Sequence, residues 1–451
     1  MDLWDSPFHS MTRRFFWTMP QEEEFTLKPV TQAELNDLIR KHQNFLAAKA
    51  GGARAVLRDR DMTGLSFIGQ NLSQSDFSGC IMAFADLTGA NFESSTLFGV
   101  DLTSAKLTNT RLVRADMRGA EVGEADLSMA NLQGADLRQG RTILKRKIKN
   151  ADDQYAKTAQ AGIVMFTGSD LTGANLTGAT AISADFSDAI LENAKMSGIN
   201  LQGANMKGAD LSGADLKQSD IRNADFSYAT MTGASMEKVE KSGSNFTLTL
   251  TGATKGQAVA EMPMTLDEQI LNHVRWVATA GQQGKQLTLT DIDMRKGPKL
   301  AAQRFTAVRA NKCTFAEMDM RSIEMQGGNL DDSDFRKCLL QSADLRGARF
   351  RNAMMHRADF SRANMNPLVL KKPDGITYHI PCRLEEAQLR HCNFTGTRLM
   401  EARFNKCDLH GAVFTNTDLR GADFTGAILK GATFTDAVLD DAIFDADSDP
   451  R

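Results

Sequence analysis

The residue types best suited to metal chemistry stand at His379-x-x-Cys382 and at His391-Cys392, a spacing that resembles a zinc-ligand set. The pattern around them argues otherwise. Cys80, Cys313, Cys338, Cys382, Cys392 and Cys407 each sit two places before a large residue of a regular array, in a slot otherwise held mostly by alanine. Such slots point inwards, whereas His391 falls in an outward one, so these side chains do not converge on an ion. No two of the cysteines are one coil apart, so the expectation is buried thiols of a reducing compartment rather than disulfides. His42 and His273 lie within apolar stripes of expected helices and read as hydrogen-bonded capping residues rather than catalytic bases. There is no GxSxG, P-loop or HExxH, and Gly281-Gln-Gln-Gly284 is too short a signal to count. The numerous aspartates are repeat-encoded turn residues. No catalytic, cofactor-binding or metal residue is assigned, and the chain is not expected to be an enzyme.

Charge offers more. Arg138, Arg141, Lys145, Arg146, Lys147 and Lys149 crowd one stretch, followed at once by Asp152 and Asp153. Such a run could grip an acidic partner or phosphates, or form a solvated hairpin. A second irregular stretch, Leu368 to Ile380, alternates apolar residues about Pro373-Asp374-Gly375 and predicts a projecting β-hairpin carrying Lys371, Lys372, Tyr378 and His379. These residues are the partner-binding candidates. Between the two stretches the chain turns basic, with Arg336, Lys337, Arg346, Arg349, Arg351, Arg357 and Arg362, and Lys337 and Arg357 should stack with Glu317. Its end is acidic, with Asp436, Asp440, Asp441, Asp445, Asp447 and Asp449. Near the start, Phe15, Phe16, Trp17 and Phe25 among charges suggest a docking segment or a strap over the first helix.

The element that must position all of these is a five-residue period. Every fifth residue from Leu57 to Leu137 is apolar. The spacing recurs from Phe166 to Met236, with Ala181 the one small centre, from Leu300 to Met365, with Ala310, and from Leu384 to Phe444 without exception. The pentad reads Ala, Asp/Asn, Leu/Phe/Met, Ser/Thr/Arg, Gly, as in Ala85-Asp86-Leu87-Thr88-Gly89. Helices repeat every 3.6 residues and strands every 2, so neither explains it. A solenoid does: each pentad forms one side of a coil, and four pentads close it. The centre and the small residue two places before it point inwards, and Asp, Asn, Ser, Thr and Gly serve the corners.

These Ala-(Asp/Asn)-Leu pentads resemble the pentapeptide-repeat family. The resemblance implies a right-handed quadrilateral β-helix, an all-β solenoid whose handedness the period alone leaves open. It also implies one functional alternative. Some members mimic DNA and bind type II topoisomerases such as gyrase, which calls for an acidic rod. A net charge of -3 and the basic third array fit that poorly.

The array is read as duplicated. A capping helix around 31–49 opens with the capping box Thr31 to Glu34 and stripes Leu35, Leu38, Ile39, His42, Phe45 and Leu46. A second, around 265–280, opens with Thr265 to Glu268 and stripes Leu266, Ile270, His273, Val274 and Val277. The expected organisation is an N-terminal extension 1–30, a capped β-helix 31–251 with an insertion at 139–165, a linker 252–264, and a second capped β-helix 265–451 with an insertion at 366–383. Whether the second helix separates two rods or interrupts one stays open, with two segments favoured. No apolar run of about 18 residues exists, so no transmembrane helix is expected. The start of the chain lacks the apolar core of a secretory signal, and a cytoplasmic setting follows. The function expected is a scaffold without catalysis or cofactor. It would bind a protein partner or a second copy of itself through loops and faces, with no direct nucleic-acid contact.

Overall fold

The computed structural model describes residues 27–147, 155–253, 255–262, 264–371, 375–447 and 450; for 141–147 and 155–162 it describes the backbone alone. The aromatic N-terminal stretch, Lys149, Asp152, Asp153, Lys372, Pro373, Asp374 and Asp449 lie outside the described residues. The chain forms two compact units, Met1–Gly252 and Ala253–Arg451. None of the described helices is long and apolar enough to cross a membrane.

In both units the pentad explains itself atom by atom. The residue before each centre faces the preceding coil: the Asp76 N–H donates to the Ala55 carbonyl at 3.0 Å and its carbonyl accepts from Leu57 at 2.8 Å. The centre faces the next coil, Phe77 N–H donating to Thr96 at 2.9 Å. Parallel bridges Val56↔Asp76, Asp76↔Thr96 and Thr96↔Asp116 continue this ladder. One coil takes 20 residues, the separation at which the buried hydroxyls of Ser75 and Ser95 meet at 3.2 Å. Four bridged sides per coil make the solenoid quadrilateral. At many corners an aspartate or asparagine before the centre holds the turn, as when Thr88 N–H donates to the Asp86 carboxylate at 3.0 Å. The chain then needs a positive φ two places after the centre, 64° at Gly89 and 58° at Asn109. Centres and small inward residues are buried together, Leu87 and Ala85 among them. In the second unit the core becomes a phenylalanine stack, with Phe404, Phe424 and Phe444 spaced 4.8 and 4.7 Å ring to ring.

The first unit opens with β1 (Lys28–Pro29) and α1 (Gln32–Leu46), and β1 pairs in parallel with β2 (Arg60–Asp61). The capping box holds, with Thr31 and Glu34 each accepting the other's backbone N–H. Its coils continue beyond the apolar array to Asp225↔Asn245 and Thr230↔Leu250, with the exposed Lys241 at a centre position. Between Leu137 and Met165 the antiparallel hairpin β3 (Gly140–Lys147) and β4 (Tyr155–Gly162) leaves the coil. The second unit opens with β5 (Gln257–Ala258), a 3-10 turn at Val259–Glu261 and α2 (Leu266–Ala278), so residues 252–264 hold structure of their own. Its first coil carries β6 (Thr288–Thr290) and β7 (Ile292–Asp293), and β8 (Arg309–Asn311) belongs to the next coil, with β5 on β7 and β6 on β8, both parallel. A second antiparallel hairpin, β9 (Leu368–Lys371) and β10 (Thr377–Ile380), interrupts its later coils where the sequence predicts one.

Candidate binding surfaces

A solenoid's first coil exposes a row of backbone groups with no preceding coil to bond. In the first unit α1 and its flanks meet them. Val30 N–H donates to the Asp61 carbonyl at 2.8 Å. The Gln32 side-chain amide imitates a strand on the next side, donating to the Ser66 carbonyl at 3.0 Å and accepting its N–H at 2.9 Å. His42 is wholly buried; its Nδ1 accepts the Ala55 N–H at 3.0 Å, and Nε2 lies 3.0 Å from the Ser73 carbonyl. The second unit repeats the device. His273 is equally buried and its Nδ1 accepts the Leu287 N–H at 3.0 Å. Its Nε2 faces the Thr306 backbone in a looser contact than His42 makes with Ser73. Each ring stacks on an aromatic neighbour, His42 on Phe45 at 5.8 Å and His273 on Trp276 at 5.7 Å. Burial holds both imidazoles below the ordinary histidine value, opposed by the backbone at Ser73 and Thr306. A neutral ring locked through Nδ1 to the backbone suits capping and leaves no basic nitrogen for substrate.

The solenoid faces neutralise themselves. Wherever aspartate precedes a centre and arginine follows it, the two close a planar fork across the centre's backbone. Arg346 reaches Asp344 at 2.9 and 2.7 Å, Arg118 reaches Asp116 at 2.8 and 2.7 Å, and Arg222 and Arg321 do the same with Asp220 and Asp319. Paired so, Asp319 falls to about 2, the hydrogen bond from Arg321 being the main cause. The basic third array of the sequence is therefore largely internally paired: Arg336 with Asp334, Arg349 with Asp331, and Arg351 with Glu385 at 4.0 Å. Arg336 is wholly buried, and the Lys255 ammonium lies 3.8 Å from the same aspartate. Burial alone would raise the Asp334 carboxyl, but the Arg336 and Lys255 charges hold it below its ordinary range. Glu317, Lys337 and Arg357 occupy the same corner of successive coils, as their spacing predicts.

Arg138, read from sequence with the basic loop, belongs to the solenoid face, where it forks onto Asp136 at 2.9 and 2.7 Å. Arg141, Lys145, Arg146 and Lys147 lie on β3 itself. Two glycines root the hairpins. A side chain at Gly140 would approach the Arg118 carbonyl carbon to 2.8 Å, and one at Gly347 would meet the Leu368 side chain at 2.6 Å. Beyond its root the second hairpin is exposed and apolar, with Val369 at 56%, Leu370 at 47% and Ile376 at 54% accessible. Lys371 and Tyr378 are exposed there, and His379 Nδ1 stands 3.9 Å from the Glu401 carboxylate. Cys382 and Cys392 are turned into the core, the latter donating to the Met355 carbonyl at 2.9 Å, so they do not converge with His379. All six thiols are buried, and burial pushes Cys80 up to about 12 and Cys313 to about 11.

A four-sided parallel ladder with this pentad defines a class of solenoid, and family comparison agrees. The "Pentapeptide repeats (8 copies)" model matches residues 61–99, 95–139, 166–198, 199–237 and 329–366, and the "Pentapeptide repeat region" model matches 382–444. Together these cover more than half of the chain, which belongs to the pentapeptide-repeat family, whose architecture is the right-handed quadrilateral β-helix. Among solved structures, QnrB1, a plasmid-mediated fluoroquinolone resistance protein, is 19% identical over 43% of this chain and 89% of its own, with a TM-score of 0.23. HetL, a pentapeptide repeat protein involved in heterocyst differentiation regulation in the cyanobacterium Nostoc, is 18% identical over 88% of this chain and 94% of its own, with a TM-score of 0.12. A pentapeptide repeat protein of the Arabidopsis thaliana thylakoid lumen is 34% identical over 23% of this chain and 74% of its own, with a TM-score of 0.13. Comparison with curated proteins returns no match.

Proposed function

We propose that the chain is a non-catalytic scaffold that binds partner proteins through its two hairpins. The observation that carries this reading is the contrast between faces and insertions. The repeat pairs arginine with aspartate two residues away, whereas the second hairpin presents Val369, Leu370, Ile376 and Tyr378 to solvent. The first hairpin places four cations on the eight residues of β3 without one acid. Isolated two-stranded ribbons are marginal on their own, and exposed apolar clusters of this kind mark interaction sites. In the same reading the chain is an internal duplication. α1 and α2 act as caps, and the matched His42 and His273 contacts support that view.

The experiment is crosslinking and pull-down of the tagged chain from its native host, beside variants lacking 140–162 or 368–380. A specific partner lost with one deletion is the expected result. If both deletions leave every partner bound, the hairpins are not the site. Self-crosslinks alone would turn the reading to assembly between copies.

A further inference from the structure

Four backbone groups at the start of the second unit face away from the strand that pairs with them. The parallel register commits the Leu287 carbonyl to the Arg309 N–H at 3.0 Å and the Asp291 N–H to the Asn311 carbonyl at 3.1 Å. Peptide groups alternate along a parallel strand, so the N–H and C=O of both Thr288 and Thr290 point to the opposite edge. Among the described residues β6 pairs with β8 alone. Thr288 and Thr290 line a cleft of about 440 Å³ together with Met262, Met264, Gln269 and Asn272. Among the described residues Lys285 is the one charged member of that lining.

The same coil already accepts an extended segment on its next side. There β5 runs parallel to β7, and the Gln257 N–H donates to the Asp291 carbonyl at 2.8 Å. In the first unit the Gln32 amide bonds the edge of a further side in the same way, at Ser66. The edge at Thr288 and Thr290 is built like these and has room beside it.

We propose that this cleft binds an extended peptide of a partner protein, which adds as a parallel strand to the outer edge of β6. The proposal rests on the scaffold reading but uses a site separate from the hairpins. Main-chain bonds to Thr288 and Thr290 supply affinity with little regard to sequence. Selectivity comes from the pliable thioethers of Met262 and Met264, which favour small or β-branched apolar side chains. An uncharged or acidic segment fits better than a basic one beside Lys285.

The probe is a labelled synthetic copy of residues 285–293, because β6 sits on β8 in the same parallel stacking that a copy of it would adopt on β6. In that register the peptide's N–H groups at the copies of Leu289 and Asp291 face the Thr288 and Thr290 carbonyls. N-methylation at those two positions is expected to weaken binding to the full chain about tenfold or more. N-methylation at the copies of Thr288 and Thr290 should leave binding unchanged. Amide exchange at Thr288 and Thr290 of the protein should slow by at least about tenfold on saturation. Asn272→Trp, which fills the cleft, should abolish binding; if that variant fails to fold, the pair of methylated peptides decides. The proposal is overturned if no saturable binding is seen up to about 1 mM. It also fails if both methylated peptides bind alike, or if protection appears elsewhere. Loss of this site with hairpin-dependent pull-down intact would leave the scaffold reading standing.

Discussion

The two units begin alike and finish the job differently. Each places a buried histidine against the backbone of its first coil, with an aromatic ring stacked three residues on. In the first unit a glutamine amide and both ring nitrogens then occupy further groups of that coil. In the second, the residue after the N-cap is Leu266, which packs apolarly, and the His273 contact with the Thr306 backbone is looser than that of His42 with Ser73. What the two share is the histidine contact with the first coil, while the groups around it are met differently.

Replacing the anchors should do the most damage. His42→Ala leaves the Ala55 N–H unpaired in a cavity and should cost about 3 kcal/mol in urea unfolding. His273→Ala should cost about 2 kcal/mol, because its second ring contact, with the Thr306 backbone, is looser than the one at Ser73. Equal losses would show that the Ser73 contact is idle, and a larger loss at His273 would reverse the comparison.

Acid should act on both anchors together. Their folded values lie below the ordinary 6.5, so the unfolded chain takes up protons first. Stability from these sites is whole above 6.5 and declines as pH falls from there towards the depressed folded values. A His42→Gln/His273→Gln double variant should lose that slope between the two limits; an unchanged slope would place the titration elsewhere.

Gln32→Ala should cost about 1 kcal/mol and speed amide exchange at Ser66, with no effect in the second unit. The smallest effect belongs to the faces. Arg346→Gln should shift the unfolding midpoint by no measurable amount, since a half-exposed fork is worth about 0–1 kcal/mol at most. A clear loss there would mean that the faces carry stability as well as charge balance.

Much of this was legible in the sequence because the period speaks twice, once in the centres and again in the small inward residues. The centres from Leu57 onwards, the buried cysteines and both helices stand where the pattern places them. The apolar array ends at Met236 because Lys241 breaks the rule, while the β-helix is expected to reach 251, and bridges do run on to Leu250. Lys241 sits in the last bridged coil of its unit, where a centre is covered from one side only, so a lysine there can reach solvent. The apparent basic array was a matter of counting charges without partners, since aspartates stand two residues upstream of Arg336 and Arg346, and Arg349 and Arg351 find acids on neighbouring coils. Strand mimicry by Gln32 and the open edge of β6 depend on how a helix lands on the coil, which no spacing records.

The two hairpins also have a geometric consequence. Glu121 bridges to Met165 and Arg349 to Arg383, while the bridges on either side keep their partners in order. The ladder therefore does not register how much chain was spent between departure and return. Each hairpin marks a corner where a foreign ribbon of any length could be grafted by design. The graft would inherit a rigid mount whose position along the coils is set by counting pentads.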